Sequence, residues 1–106
     1  MSASLDATEA RSREVAKTGN RVSLEVMAAA IVEEEYLSPT TQPHMTIAVL
    51  KLRNGFTLVG KSAPADPANF DEAAGREFAR DDAMRQAWPL FGFAQREKLA
   101  DTPALP

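Results

Sequence analysis

The dipeptide Asn54-Gly55 is the feature that most constrains the fold of this chain. It lies between residues 45–53 and 56–62, two runs rich in residues that favour strands. Asn-Gly favours a two-residue type I′ turn, because both residues tolerate a positive φ. The pattern therefore predicts a β-hairpin in which Lys51 pairs with Leu58 and Val49 pairs with Gly60.

In that register both faces of the hairpin carry apolar side chains. Two strands alone are marginally stable, so we expect a third strand, either from residues 34–38 or from a partner. We also expect both faces to be covered, one by a helix and the other by a second helix or a neighbouring subunit. The two predicted faces are Leu50, Leu52 and Val59, and opposite them Ile47, Val49, Phe56 and Leu58.

Helices are predicted on both sides of the hairpin. Ser23 is a suitable N-cap for a first helix that ends near Glu33 or Glu34. The long helix follows a turn at Asp66-Pro67 and ends near Trp88, because a residue before proline is disfavoured in the helical region. A short last helix then ends near Leu99.

Small residues recur every four positions along the long helix, which lets its backbone approach a neighbouring element closely. They are Gly75, Ala79, Ala83 and Ala87. At the start of this helix, Asn69 and Asp71 on either side of Phe70 are predicted to cap backbone N–H groups.

The predicted fold class is α+β, with an N-terminal helix, a small antiparallel hairpin or sheet, a long helix and a short C-terminal helix. Large apolar residues are sparse before Val22 and dense up to Leu99. We therefore expect a flexible or weakly helical arm at 1–21, a single domain at 22–99 and a frayed tail at 100–106. The arm would need a partner surface, such as a second subunit, to be stable as a helix.

Composition excludes several classes of function for this 106-residue chain. The absence of cysteine excludes disulfide scaffolds, thiolate metal sites and a cysteine nucleophile, and a single histidine excludes multi-histidine zinc sites. A net charge of -3 argues against a broad nucleic-acid footprint. No run of about 20 apolar residues and no signal peptide is present, so we expect a cytoplasmic protein without a cofactor.

Two sets of charged residues are candidates for a binding surface. A cationic set surrounds the hairpin, with Lys61 predicted to project opposite to the other two: Lys51, Arg53 and Lys61. An acidic set is either a solvated face or a surface that meets a basic partner protein or mimics nucleic-acid charge: Glu33, Glu34, Glu35, Asp81 and Asp82. Asp81 and Asp82 point in different directions on a helix, so we do not expect them to bind a metal together.

The order of several short motifs is specific when they are taken together. The chain has Asn54-Gly55-Phe56, then Asn69-Phe70-Asp71, Gly75-Arg76 and Trp88-Pro89-Leu90. With Tyr36 and Gly92-Phe93, this series resembles the small phage and prophage protein family named after gene product 49 of a lytic coliphage and gene 66 of a Shigella phage. The resemblance covers about residues 21–99. It implies a phage or prophage accessory gene, and it brings no catalytic residues to carry over.

Three hypotheses about function follow from these observations. The first is a non-enzymatic phage protein that binds a host component, such as an antiviral CRISPR complex. The second is an oligomeric sponge that binds a phosphorylated signalling nucleotide near Lys51, Arg53 and Lys61. The third is a structural or regulatory partner of another phage protein. Trp88, Phe91 and Phe93 are expected either in the core or at a subunit or partner contact.

Overall fold

The computed structural model of the protein describes residues 3–102. The elements are α1 (Ala3–Val15), α2 (Leu24–Ala29), β1 (Ile31–Leu37), β2 (Thr46–Leu52), β3 (Thr57–Ser62), a 3₁₀ turn (Pro67–Asn69) and α3 (Glu72–Ala100). The strands form one antiparallel sheet in the order β1-β2-β3. The predicted α+β class is confirmed.

The hairpin at Asn54-Gly55 is present, but its turn differs from the predicted type I′. Gly55 alone has a positive φ, of 89°. The Gly55 N–H donates to the Leu52 carbonyl at 2.8 Å, and the Leu52 N–H donates to the Phe56 carbonyl at 2.8 Å. These bonds close a three-residue loop in which a single left-handed glycine ends the turn, an arrangement that Asn-Gly also suits.

The longer loop shifts the strand register by one residue from the predicted one. Leu50 pairs with Leu58 and Val49 pairs with Val59. A shift of one residue moves every side chain of a strand to the other face of the sheet. Leu58 is therefore buried beside Leu50 and Leu52, whereas Val59, predicted on that face, is half exposed on the other.

The first predicted helix is shorter than expected, and its end belongs to the sheet. Ser23 does cap α2, because its hydroxyl accepts the Val26 N–H at 3.1 Å. The helix ends at Ala29, and β1 begins at Ile31 and pairs with β2. Ile31 and Val32 are β-branched, which favours a strand over a helix. The expected third strand therefore starts earlier than residue 34, and it comes from the chain itself.

The small-residue stripe of α3 packs directly on β2 and β3, as the spacing predicts. Ala79, Ala83 and Ala87 are fully buried. At Gly60 of β3 a Cβ atom would lie 2.5 Å from the Ala83 N, and at Gly75 of α3 a Cβ atom would lie 2.6 Å from the Thr46 hydroxyl. The helix thus lies on the sheet at a distance that only glycine permits at these two points.

The long helix does not end at Trp88, and up to residue 102 no separate C-terminal helix follows it. Instead α3 continues through Pro89 to Ala100. A proline inside a helix costs ~3 kcal/mol, because it removes a hydrogen bond and its ring crowds the preceding turn. Trp88 and Phe91 pack against the core on either side of Pro89. The apolar area that they bury offsets this cost and keeps the helix continuous.

The caps before α3 agree with only part of the prediction. Asp66 accepts the Ala68 N–H at the 3₁₀ turn, and Asp71 accepts the Ala74 N–H at the start of α3. Asn69, predicted as a cap, lies inside the 3₁₀ turn instead.

The N-terminal arm contains a helix that is joined to the domain by a buried leucine and a buried carboxylate. Leu5 of α1 belongs to the core. Glu9 is almost fully buried; one oxygen accepts the Leu24 N–H at 3.0 Å and the other accepts from Arg21 at 2.7 Å. Glu9 thus caps α2 from a different element. The proposed boundary at residue 21 stays a prediction, and residues 103–106 of the predicted frayed tail lie outside the described residues.

This link between α1 and α2 should depend on pH. Burial alone would raise the pKa of Glu9, but the Leu24 N–H and the nearby Arg21 and Arg13 lower it below the ordinary 4.5. A lowered folded-state pKa means that the stabilisation is present above pH 4.5 and is lost as the pH falls through that lowered value. In an NMR titration, we expect the Leu24 amide proton to shift with a midpoint below pH 4.5.

The Val26 amide is the matched control for this titration, because it bonds to the hydroxyl of Ser23, which does not titrate. In a Glu9→Gln variant the shift of the Leu24 amide should disappear. A midpoint at or above 4.5, or an equal shift at Val26, would contradict the proposed link.

In the described part of the chain, no helix combines the length and the apolar character that crossing a membrane requires.

Candidate functional site

A groove of about 340 Å³ lies between the hairpin turn and the C-terminal half of α3. Its walls are mostly apolar, and two polar residues of the turn, Arg53 and Asn54, stand at its edge. The apolar lining consists of Ala30, Leu52, Phe56, Leu90, Phe91 and Ala94. The groove therefore joins two segments that are more than 30 residues apart in the sequence.

The turn side of the groove is held in place by two hydrogen bonds that backbone N–H groups donate. The Asn54 side-chain oxygen accepts the Phe56 N–H at 3.0 Å, which holds Phe56 at the end of the turn. The Arg53 N–H donates to the Ala30 carbonyl at 2.9 Å and ties the turn to the end of α2. Because α3 continues through Pro89, Leu90 and Phe91 are brought opposite this turn.

Large apolar side chains at this end of the molecule remain open to solvent. Phe56 is 51% exposed and Leu90 is 42% exposed. Phe93, one helical turn beyond Leu90, is 69% exposed, whereas Trp88 and Phe91 pack against the core. The sequence predicts that these three aromatic residues lie either in the core or at a subunit or partner contact. Phe93 is the one whose exposure makes it available for a contact. Contiguous exposed apolar residues with a polar rim are typical of interaction sites.

Arg53 gives this groove a charge preference. Its side chain is exposed and forms no ion pair or hydrogen bond with any described residue. An unpaired guanidinium beside an apolar groove suits an apolar segment that carries a carboxylate, because arginine binds carboxylates in a planar, two-point geometry.

The other two residues of the predicted cationic set do not line the groove. Lys51 forms an ion pair with Glu33 at 3.7 Å. Lys61 lies on the same face as Lys51, in contrast to the prediction, because the register is shifted by one. Lys51 pairs with Thr57 and Lys61 pairs with Ile47, so four residues, or about 13 Å, separate them along the strands.

The acidic run on β1 is divided between the two faces of the sheet. Glu34 points to the helix side, where it accepts hydrogen bonds from Tyr36 at 2.7 Å and from Arg80 at 3.0 Å. Glu33 and Glu35 occupy the opposite face, as their pairing with Lys51 and Val49 requires. The three glutamates therefore do not form one acidic surface.

Tyr36 and Glu34 have perturbed pKa values with clear causes. Burial and the hydrogen bond to Glu34 raise the pKa of Tyr36 to about 12. Burial would raise the pKa of Glu34, but the Tyr36 hydroxyl and the Arg80 guanidinium lower it. Both groups therefore keep their ordinary charge states near neutral pH, which is expected of a structural contact between β1 and α3.

A second, polar cleft of about 370 Å³ borders this contact. Arg76 lies over the Tyr36 ring, 5.9 Å from its centre, and forms an ion pair with Glu72 at 2.7 Å. Phe70 lines the cleft and also meets the ring of His44 edge to face, at 5.2 Å. The cationic side chain of this cleft already has partners within the fold, unlike Arg53 at the groove.

Asp81 and Asp82 point in different directions, as predicted. The Asp82 carboxylate accepts the Lys61 N–H at 2.9 Å and so binds α3 to β3. Asp81 is 1% exposed, and neither of its carboxylate oxygens has a hydrogen-bond partner among the described residues. Within residues 3–102 no group of three or more histidine, aspartate or glutamate side chains could hold a metal ion.

The sequence predicts the turn at Asn54-Gly55, but it does not bring this turn together with α3. The predicted helix end near Trp88 leaves Leu90 without a place beside the turn. The signal that could have joined them is Leu90 and Phe91 after Pro89, apolar residues whose burial requires a neighbour.

Comparisons with known proteins identify the family of this chain. The model of the Phage protein (N4 Gp49/phage Sf6 gene 66) family matches residues 22–99, which is most of the sequence. Searches of curated proteins and of solved structures gave no match. Two of the segments that carry the family resemblance, residues 54–56 and 88–90, contribute to the groove. The chain belongs to the Phage protein (N4 Gp49/phage Sf6 gene 66) family.

Proposed function

We propose that this phage-family protein is a non-enzymatic accessory protein that binds a host protein through the groove between Phe56 and Leu90. The observation that carries the proposal is the groove itself, which two distant motif segments build with an apolar wall and one unpaired cation at its rim. Such a composition, with aromatic residues and arginine enriched, is typical of protein interfaces. The partner should present an apolar segment with a carboxylate that reaches Arg53.

The host target that we favour is a component of an antiviral defence system, such as a CRISPR complex. Support for this part comes from the family, whose members are phage proteins, and from the small size of the chain. The binding role and the defence role are separate claims, and they are tested separately.

The binding role is tested by photo-crosslinking in the host bacterium. A photoreactive phenylalanine analogue is placed at Phe56, and as a matched control at Phe78, which is similarly exposed at 55% but lies outside the groove. We expect one host protein to be crosslinked from position 56 and not from position 78. Crosslinking of the same set of proteins from both positions would contradict the proposal.

The affinity of the crosslinked partner should then depend on groove residues. Phe56→Glu places a charge against an apolar wall, and Arg53→Glu reverses the charge at the rim. We expect each to weaken binding of the purified partner at least about tenfold, as substitutions at interface hot spots do. Phe78→Glu should bind like the wild type. Unchanged binding of the Phe56→Glu and Arg53→Glu variants would refute the groove as the docking site.

The defence role is tested by phage plating. A host with an active CRISPR system should allow a targeted phage to form more plaques when it expresses the wild-type protein, and not when it expresses Phe56→Glu. A host without the system should plate the phage equally in all cases. An equal increase in plaque number in both hosts would show that the protein does not act on this defence system.

The other two functions are outcomes of the same experiments. A crosslinked phage protein in place of a host protein would support the structural or regulatory role. A panel of cyclic nucleotides that raises the melting temperature would support the nucleotide sponge. The separation of Lys51 from Lys61 gives the sponge less support than the groove gives protein binding.

A further inference from the structure

None of the described helices packs on one face of the sheet. α3 packs on the face that carries Ala48, Leu50 and Leu58. The opposite face carries apolar side chains that remain exposed, among them Val59 at 50% and Leu37 at 41%. The pairings place nine side chains on this open face in three rows: Glu33, Lys51 and Thr57; Glu35, Val49 and Val59; Leu37, Ile47 and Lys61.

The charges of the open face are arranged so that they complement a second copy of themselves. The acidic residues Glu33 and Glu35 lie on the β1 edge, and Lys61 lies on the β3 edge. Glu33 is paired with Lys51 within the chain. Glu35 and Lys61 are exposed and form no ion pair among the described residues. A face with acid at one edge and base at the other matches its own copy after a rotation of half a turn.

The edges of the sheet are less suited to association than its face. Two outward backbone groups of β3 are bonded to α3 side chains, because Asp82 accepts the Lys61 N–H and Gln86 donates to the Val59 carbonyl at 2.9 Å. The β1 edge has an irregular register between Ile31 and Glu33 and a run of glutamates. Charged, irregular edges discourage pairing between sheets.

We propose that two copies of the chain form a homodimer by packing their open sheet faces together about a twofold axis that runs along β2. This axis brings Val49 of the two copies together and places β1 of each copy over β3 of the other. The Lys51 residues of the two copies also meet on the axis, each with its charge paired to Glu33 of its own chain. Glu35 of one copy then lies diagonally opposite Lys61 of the second copy. Face-to-face sheets pack ~10 Å apart, within reach of both side chains.

The size of the face sets the strength of this dimer. Three strands of about seven residues present a face of roughly 14 by 23 Å. A standard stable interface buries ~800 Å² on each partner, so the dimer should be weak and its fraction should rise with concentration. The groove at Phe56 lies at the turn end of the molecule and is not part of this face, so the two proposals can succeed or fail independently.

The test is sedimentation velocity on the full chain over a concentration series, with a charge swap. We expect a monomer–dimer equilibrium for the wild type. Glu35→Lys and Lys61→Glu alone should each weaken dimerisation at least about tenfold, since each brings like charges together. The double variant Glu35→Lys/Lys61→Glu should regain wild-type association, because it restores the complementary pairs in the dimer. Glu97→Lys, an exposed change on α3, is the control and should associate like the wild type.

A second variant tests the contact at the axis without relying on the charges. Val49→Thr keeps the shape and the strand preference of valine but places a hydroxyl of each copy at the axis, so it should weaken the dimer about tenfold. Circular dichroism verifies that the monomer is folded. A wild type that stays monomeric at every concentration would overturn the proposal. A Val49→Thr dimer as strong as the wild-type dimer, or a dimer that is lost in Phe56→Glu but not in Glu35→Lys, would also overturn it.

Discussion

Replacing Gly60 by alanine is expected to lower the free energy of unfolding by about 3 kcal/mol or more. The added Cβ would overlap the Ala79 carbonyl oxygen and lie 2.5 Å from the Ala83 N. Both atoms belong to the backbone of α3, so no side-chain rotation can relieve the overlap. The helix would have to move away from β3, which would open the contact between the buried alanine stripe and the sheet.

Urea denaturation followed by circular dichroism measures this effect. Gly92→Ala is the matched control, because nothing lies within 4 Å of a Cβ at this helical position. Alanine is a better helix former than glycine, so Gly92→Ala should raise stability by ~0.5–1 kcal/mol. A Gly60→Ala variant as stable as the wild type would show that this contact does not set the distance between helix and sheet.

The sequence predicts only the helix half of the close contact between α3 and the sheet. Four small residues at four-residue spacing predict that a neighbouring element approaches the α3 backbone closely. That the approaching residue is Gly60 depends on which residues of β3 face the helix, and the shifted turn decides this. Asn-Gly is suited both to a type I′ turn and to a three-residue loop with one left-handed glycine, so this dipeptide alone does not distinguish the two turns.

The continuity of α3 was not predictable from local rules for a related reason. Trp88-Pro89 is a reliable helix end when only the neighbouring residues are considered. In the fold, Trp88 donates a hydrogen bond to the Val22 carbonyl at 3.4 Å, and Phe91 packs on the core one turn later. These tertiary contacts outweigh the local preference, and the groove exists only because they do. The sequence therefore contains the two motifs of the site, residues 54–56 and 88–90, but it does not predict that they form one surface.

Replacing Asp81 by asparagine is expected to raise the free energy of unfolding at neutral pH by about 2 kcal/mol. The carboxyl group is buried, and neither oxygen has a hydrogen-bond partner among the described residues. Burying a carboxyl group without hydrogen-bond partners is costly; asparagine keeps the shape of the side chain, and its neutral amide, although it also lacks partners there, is less costly to bury than a carboxylate. Most substitutions of buried residues destabilise, so an increase would be a distinctive result.

The neighbouring Asp82 provides a control with the opposite sign. Asp82→Ala removes the acceptor of the Lys61 N–H and should lower stability by ~1 kcal/mol. Urea denaturation of both variants compares them directly. If Asp81→Asn destabilised the protein by as much as Asp82→Ala, the Asp81 carboxylate would have a stabilising partner in solution. If it stabilises as expected, a costly group persists in the core without serving the fold.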